Sequence, residues 1–278
     1  MDWKGREQSQ NVEDRRGSSG GGGGKAPGIL GIIVVLVGAY YGVDLSGLVG
    51  TPSMGTGSTQ TSQLKPQEEA ELNELARVVL ADTEKAWGSY FKQIGRTYTP
   101  TTMVLYNGGT STACGMGQSA MGPFYCPGDQ KVYLDLDFYR DMQTKLNSAS
   151  DAAFAYVIAH EVGHHVQNLL GILPKVHRMQ QQVGKKEANA LSVKLELQAD
   201  CYAGIWGHYA VNNNIFKAED ITKAMLAAES VGDDRLQKEG QGYVVPDSFT
   251  HGSSEQRMAW LKRGLDSGDI NQCNTFGN

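Results

Sequence analysis

The sequence predicts an α+β fold: a mostly helical domain with a small β-sheet, preceded by one membrane-spanning helix. Three observations carry this prediction. Six segments after residue 66 repeat apolar residues at helical spacing. Two short runs rich in β-branched and aromatic residues, around positions 102 and 130, read as strands. Residues 28–49 contain a single charged residue, Asp44, and are apolar on every face of a helix.

Taken in order, residues 1–27 are polar and rich in Gly and Ser, with an unbroken run from Gly20 to Gly24. Such a stretch buries too little surface to offset its chain entropy, so a disordered segment is expected. The 22 residues of 28–49, as a helix, span roughly 33 Å, enough for a hydrocarbon core of about 30 Å. Lys4, Arg6, Arg15, Arg16 and Lys25 precede this stretch, and no Lys or Arg follows it until Lys65. The positive-inside rule then expects a cytoplasmic amino terminus and a domain on the outer, periplasmic or extracellular, face. Val37-Gly38-Ala39 weakly resembles a signal cleavage site, but the long polar flank and Tyr40 and Tyr41 at the exit favour a retained anchor.

Residues 50–65 turn to Gly, Ser, Thr and Gln, a linker composition. The folded domain is expected over 66–278. Leu72, Leu75, Ala76, Val79 and Leu80 line one face of a helix over 67–93. Thr102–Tyr106 and Gln130–Leu136 read as strands. Helices are expected over 138–147, 151–170, 186–211, 218–231 and 254–265, the last started by Ser253 and Ser254 and stopped by Gly264.

The formal net charge of -5 and the lack of any basic, aromatic-interleaved run argue against nucleic acid as a partner. None of the 4 cysteines forms a C-x-x-C pair, so a cysteine-rich metal site is not indicated. Their even number suits two disulfides in an oxidising compartment. Cys114 and Cys126 bracket one Gly-rich loop and are natural partners, which would leave Cys201 for Cys273; the sequence alone leaves three connectivities open.

The chemistry concentrates in His160-Glu161-Val162-Gly163-His164. Histidines four apart on a helix share one face. Two such imidazoles can grip one zinc ion, while Glu161, beside them, can take a proton from water that the metal has made acidic. This is the metalloprotease helix signature. A catalytic zinc with one open position needs a third protein ligand. A third histidine six residues past His164 is excluded, because Leu170 stands there. Glu196 and Asp200, an i, i+4 pair on a second expected helix, offer the alternative. Glu196 would ligate, and Asp200 would accept a hydrogen bond from a ligand imidazole and fix its tautomer. Ala199, Ala203 and Gly204 would let the two helices approach. Glu187 is a competitor without that supporting pattern.

His-Glu-x-x-His followed by Glu-x-x-Ala-Asp resembles the gluzincin arrangement of zincin-like membrane-associated peptidases. More narrowly, Asn11–Arg16, Gly42–Gly47, His160–Gln167, Leu195–Gly204 and Thr250–Gly252 together resemble the neutral zinc metallopeptidase family over nearly the whole chain. The resemblance implies a Zn2+ cofactor and a peptide or protein substrate. It also implies that His251 or Arg257 could hydrogen-bond a developing oxyanion, although Arg257 is more often a structural ion-pair partner. Tyr125–Asp135 could supply an edge strand for an extended peptide. His165, His177 and His208 read as structural. The rival expectation is a zinc-holding envelope protein that binds or assembles partners without cleaving them. Glu161 separates the two, since a structural zinc needs no carboxylate beside its ligands.

Overall fold

A computed structural model describes residues 1–17 and 62–277. Pro66 opens helix α1 (Pro66–Gln93), where a missing N–H costs nothing, and Glu68 and Glu69 complement the helix dipole. Its apolar stripe, Leu72 to Leu80, is buried as expected. Strands β1 (Val12–Asp14), β2 (Thr102–Tyr106), β5 (Phe124–Cys126) and β6 (Lys131–Asp135) form a four-stranded sheet of order β1-β2-β6-β5. Strands β2 and β6 run parallel, with Val104 opposite Tyr133, and β5 returns antiparallel at the edge. A separate hairpin of β3 (Gly109–Thr112) and β4 (Gly115–Gln118) is tied to β5 by the Cys114–Cys126 disulfide.

The helical layer follows as α2 (Phe138–Thr144), α3 (Asp151–Leu169), α4 (Ile172–Gln180), α5 (Lys185–Asn212), α6 (Ala218–Ser230), α7 (Asp233–Gln241) and α8 (Ser254–Ser267). Helix α3 is the centre of the molecule, packed against α1, α5, α6 and the β5–β6 edge. Its sequence Ala152 to Ala159 is buried on almost every side, which is why it reads as a nearly continuous apolar run. The Cys201–Cys273 disulfide joins α5 to the C-terminal turn.

Several expectations need correction. Residues 1–17 are not disordered but built into the domain. Strand β1 (Val12–Asp14) pairs parallel with Met103–Leu105. Trp3 is buried, and its Nε1–H donates to Asp151 at the start of α3. Glu13 pairs with Lys131, and Arg16 with Glu69. At the end of the expected linker, Leu64 is buried and Ser62 bonds Asp137. The expected anchor, 28–49, lies outside the described residues, and among those no helix is long and apolar enough to cross a membrane. With β1 and β2 adjacent in one sheet, a single crossing between Gly17 and Ser62 would set paired strands on opposite sides of a bilayer. The amino-terminal residues 1–17 and the domain after Ser62 thus pack as one unit.

Two finer corrections concern glycine and edge. Helix α8 runs past Gly264 to Ser267 and is closed by Gly268, whose φ of 59° is left-handed. Gly264 instead marks contact: a Cβ there would lie 2.0 Å from the Cys201 carbonyl oxygen of α5. Gly204 makes the reciprocal approach to α8 rather than to α3. Of the expected peptide-pairing segment, β5 is the sheet edge and β6 is interior.

Candidate metal centre

Ser150 caps α3 by accepting from the Ala153 amide, and the helix then carries His160 and His164 to one face. Gly163, between them, lets α5 come close: a Cβ at that position would sit 3.1 Å from the Ala199 carbonyl oxygen. That approach brings Glu196 over the two imidazoles. His160 Nε2 lies 3.0 Å from Glu196 Oε2, His164 Nε2 lies 3.4 Å from Glu196 Oε1, and the two Nε2 atoms are 3.2 Å apart. Tetrahedral ligands about 2.0–2.1 Å from one zinc would be separated by about 3.3 Å. Among the described residues this is the one cluster of three His, Cys, Asp or Glu side chains gathered closely enough to hold a metal ion.

The hydrogen-bond partners behind the ligands decide which ring nitrogens face inward. Asp200, fully buried, accepts from His160 Nδ1 at 2.8 Å. A carboxylate partner fixes the proton on Nδ1 and leaves Nε2 as the metal-facing atom. Asp200 is itself held by Tyr156 Oη–H at 2.6 Å and by both Nε and Nη2 of Arg257, at 2.9 and 3.0 Å. Arg257 is thus the ion-pair partner of Asp200, buried behind the ligands rather than placed against them. On His164, Nδ1 meets Gln167 Oε1 at 2.8 Å.

Electrostatics point the same way. Burial opposes charge on His160, yet Asp200 and Glu196 outweigh it and raise its pKa to about 10. Burial likewise opposes charge on His164, and Glu196 overcomes it. Asp200, despite burial, is brought down to about 2 by Arg257 and His160. An electron-rich pocket of this kind favours a cation, and neutral imidazoles with a carboxylate suit zinc. Glu161 sits beside the cluster, largely buried, and its side chain makes no hydrogen bond to another described residue. Desolvation raises its pKa, and His160 and His164 only partly offset this.

His251 is brought to the edge of the same site: desolvation opposes charge on it, and Asp233 first, then Glu196, overcome this and raise its pKa. It does not join the ligand cluster. Asp233 clasps its loop: Oδ2 accepts from the amides of Thr250, His251 and Gly252 at 2.8, 2.7 and 3.0 Å, and Oδ1 faces His251 Nδ1 at 3.2 Å. Glu187 stays exposed and outside the site. Of the histidines read as structural, His165 bonds Tyr125 and the Thr99 carbonyl, and His208 the Leu265 carbonyl. His177 is nearer the centre: besides burial, His164 lowers its pKa.

Tyr156, Gln167 and Asp233 are site residues that the sequence reading missed. The first two stand four residues before His160 and three after His164, a helical spacing that marks them in retrospect. Asp233 carries no comparable signal.

Comparison with known proteins supplies the context. A family profile described as "Putative neutral zinc metallopeptidase" matches residues 1–276. A protein of Escherichia coli (strain K12) named "Uncharacterized protein YpfJ" is 53% identical, over 100% of this chain and 99% of its own. "Uncharacterized protein Rv2575" of Mycobacterium tuberculosis and "Uncharacterized protein Mb2605" of Mycobacterium bovis are each 40% identical over 74% of this chain and 73% of their own. No solved structure matches. With its His160/His164/Glu196 cluster and a match from end to end, the chain belongs to the neutral zinc metallopeptidase family.

Proposed function

We propose that this chain is a zinc-dependent endopeptidase that hydrolyses peptide bonds at the His160/His164/Glu196 centre. The observation that carries the reading is Glu161: a largely buried carboxylate beside a three-residue ligand set, outside that set and with no side-chain hydrogen bond to another described residue. A structural zinc gains nothing from such a group, whereas a largely desolvated carboxylate beside the ligands is poised to take a proton.

Zinc held there would act as a Lewis acid, polarising a peptide carbonyl and lowering the pKa of water to about 7. Glu161 accepts a proton from the attacking water as its oxygen bonds to the carbonyl carbon. The same carboxyl group then delivers that proton to the amide nitrogen as the C–N bond breaks. Burial, which raises the Glu161 pKa, suits it to both halves of this exchange. His251, held by Asp233, would donate to the oxyanion that forms between these steps. The edge strand β5 lies next to α3, where Tyr125 Oη bonds His165 Nδ1 at 3.0 Å. An extended peptide adding to β5 would gain backbone hydrogen bonds from that sheet edge.

The two disulfides support placement in an oxidising compartment. Membrane association through residues 28–49 remains part of this proposal, in the form the sheet permits, with both flanks on the side that carries the metal centre. Because residues 1–17 complete the sheet, the test uses the full chain in detergent. An unstructured protein is incubated with zinc-loaded wild type, chelator-treated protein and Glu161→Gln. Cleavage by the first alone supports the reading; cleavage undiminished in Glu161→Gln overturns the mechanism. Zinc binding without cleavage in any condition would favour a non-proteolytic binding role.

A further inference from the structure

Behind His164 the hydrogen bonds continue to the far end of the chain. Gln167 and Gln198 are buried, and so is Cys273. Gln167 Nε2 donates to the Leu195 carbonyl at 2.8 Å and to Gln198 Oε1 at 3.0 Å. Gln198 Nε2 in turn donates to the Cys273 carbonyl at 3.0 Å. Backbone carbonyls only accept, so Leu195 and Cys273 fix which end of each amide is nitrogen. Gln167 must then present its oxygen to His164 Nδ1, 2.8 Å away. An oxygen there requires the proton on Nδ1, leaving Nε2 bare and turned toward Glu196. His160 obtains the same tautomer from a carboxylate, which cannot flip its role. His164 obtains it from two neutral amides, which can.

We propose that Gln167 and Gln198 are a positioning relay through which the disulfide-held C-terminal turn sets the tautomer of His164 and so the zinc affinity of the site. The inference rests on the metal reading above and adds a determinant to it. The Cys201–Cys273 bond holds the Cys273 carbonyl against Gln198, and Thr275 Oγ–H donates to the Lys194 carbonyl at 2.6 Å, keeping the turn on α5. When the turn is released, Gln198 loses its acceptor and is free to rotate its amide. Its nitrogen then confronts Gln167 Nε2, and the preference for oxygen toward His164 weakens. The Leu195 carbonyl still holds Gln167, so the effect of Gln198 is smaller than that of Gln167 itself.

The test measures zinc affinity of the full chain by competition with a chromophoric chelator. Loss of an outer hydrogen-bond partner of a metal ligand lowers metal affinity roughly 10–100-fold. Gln167→Leu is expected in that range. Gln198→Leu and the paired Cys201→Ala, Cys273→Ala variant are expected to weaken zinc by about 10-fold, within the same range. A carboxyl group at 167, its protonated oxygen donating to the Leu195 carbonyl, offers His164 only a carbonyl oxygen and fixes the tautomer without help from Gln198. In a Gln167→Glu background, Gln198→Leu is therefore expected to change affinity less than about two-fold, an outcome a merely structural role would not produce. Zinc affinity within two-fold of wild type in folded Gln167→Leu and Gln198→Leu proteins would overturn the relay. Absence of zinc binding by the wild type would overturn the metal reading beneath it.

Discussion

Replacing Asp200 by leucine removes the acceptor shared by Tyr156, His160 and Arg257 in one step. Arg257 is 5% exposed and Asp200 0%, so the guanidinium would be left buried and unpaired, at a cost of about 3–5 kcal/mol. His160 would lose the group that keeps the proton on Nδ1, and zinc should bind roughly 10–100-fold more weakly. The two effects can be separated. In Asp200→Leu/Arg257→Leu the buried charge is gone, so about half or more of the lost stability should return, following the tolerance of apolar replacements for buried ion pairs. His160 Nδ1 still lacks an acceptor, so zinc affinity should stay low. Urea denaturation of the metal-free proteins reads the first quantity, and chelator competition reads the second. A single variant that loses under about 1 kcal/mol, or a double variant whose zinc affinity recovers together with its stability, would refute the division of labour described.

Other perturbations follow from the same contacts. Gly264→Ala pushes a methyl group to 2.0 Å from the Cys201 carbonyl, where neither helix backbone can yield, and should cost about 3 kcal/mol in urea denaturation. His251→Gln should lower kcat on a peptide substrate by about 10²-fold with zinc affinity unchanged, and Asp233→Asn should reproduce part of that loss. The Glu13 carboxyl is lowered to about 2 from 4.5 by hydrogen bonds to Arg15 and Lys131. Its contribution to β1 docking is therefore complete above pH 4.5 and lost as pH falls through about 2. With the side chain 41% exposed, solvent screening keeps that contribution under about 1 kcal/mol. Hydrogen exchange of the β1 amides, followed from pH 5 to pH 2, should show the loss in wild type and not in Glu13→Gln.

The parts of this molecule that can be read from sequence are those written in local periodicity. His160, Glu161 and His164 declare themselves by spacing on one helix, and Glu196 and Asp200 by spacing on another. Helices α1, α3, α5 and α6 carry apolar faces that end within a residue or two of their expected limits. Strand β1 could not be seen this way. Its three residues, Val12 to Asp14, include two acids, and what holds them is distant: Met103, Leu105 and Lys131. A polar segment is disordered only if nothing elsewhere pairs with it. Helix α7, Asp233–Gln241, is likewise almost wholly polar and leaves no apolar stripe to detect. Gly264 misled for a related reason: a helix stop and a close helix crossing ask for the same missing side chain. Asp233 gathers three amides and an imidazole from residues 17 to 19 positions away, an arrangement that only the fold assembles.

The most direct test of the centre is X-ray absorption at the zinc edge on full-length protein loaded with one equivalent of metal. Two histidine nitrogens and a carboxylate oxygen from His160, His164 and Glu196 should appear at about 2.0–2.2 Å, with a further light oxygen at the open position. The signal should persist in Glu161→Gln and collapse in Glu196→Ala. A sulfur ligand, or a spectrum unchanged by Glu196→Ala, would contradict the assignment of the metal site.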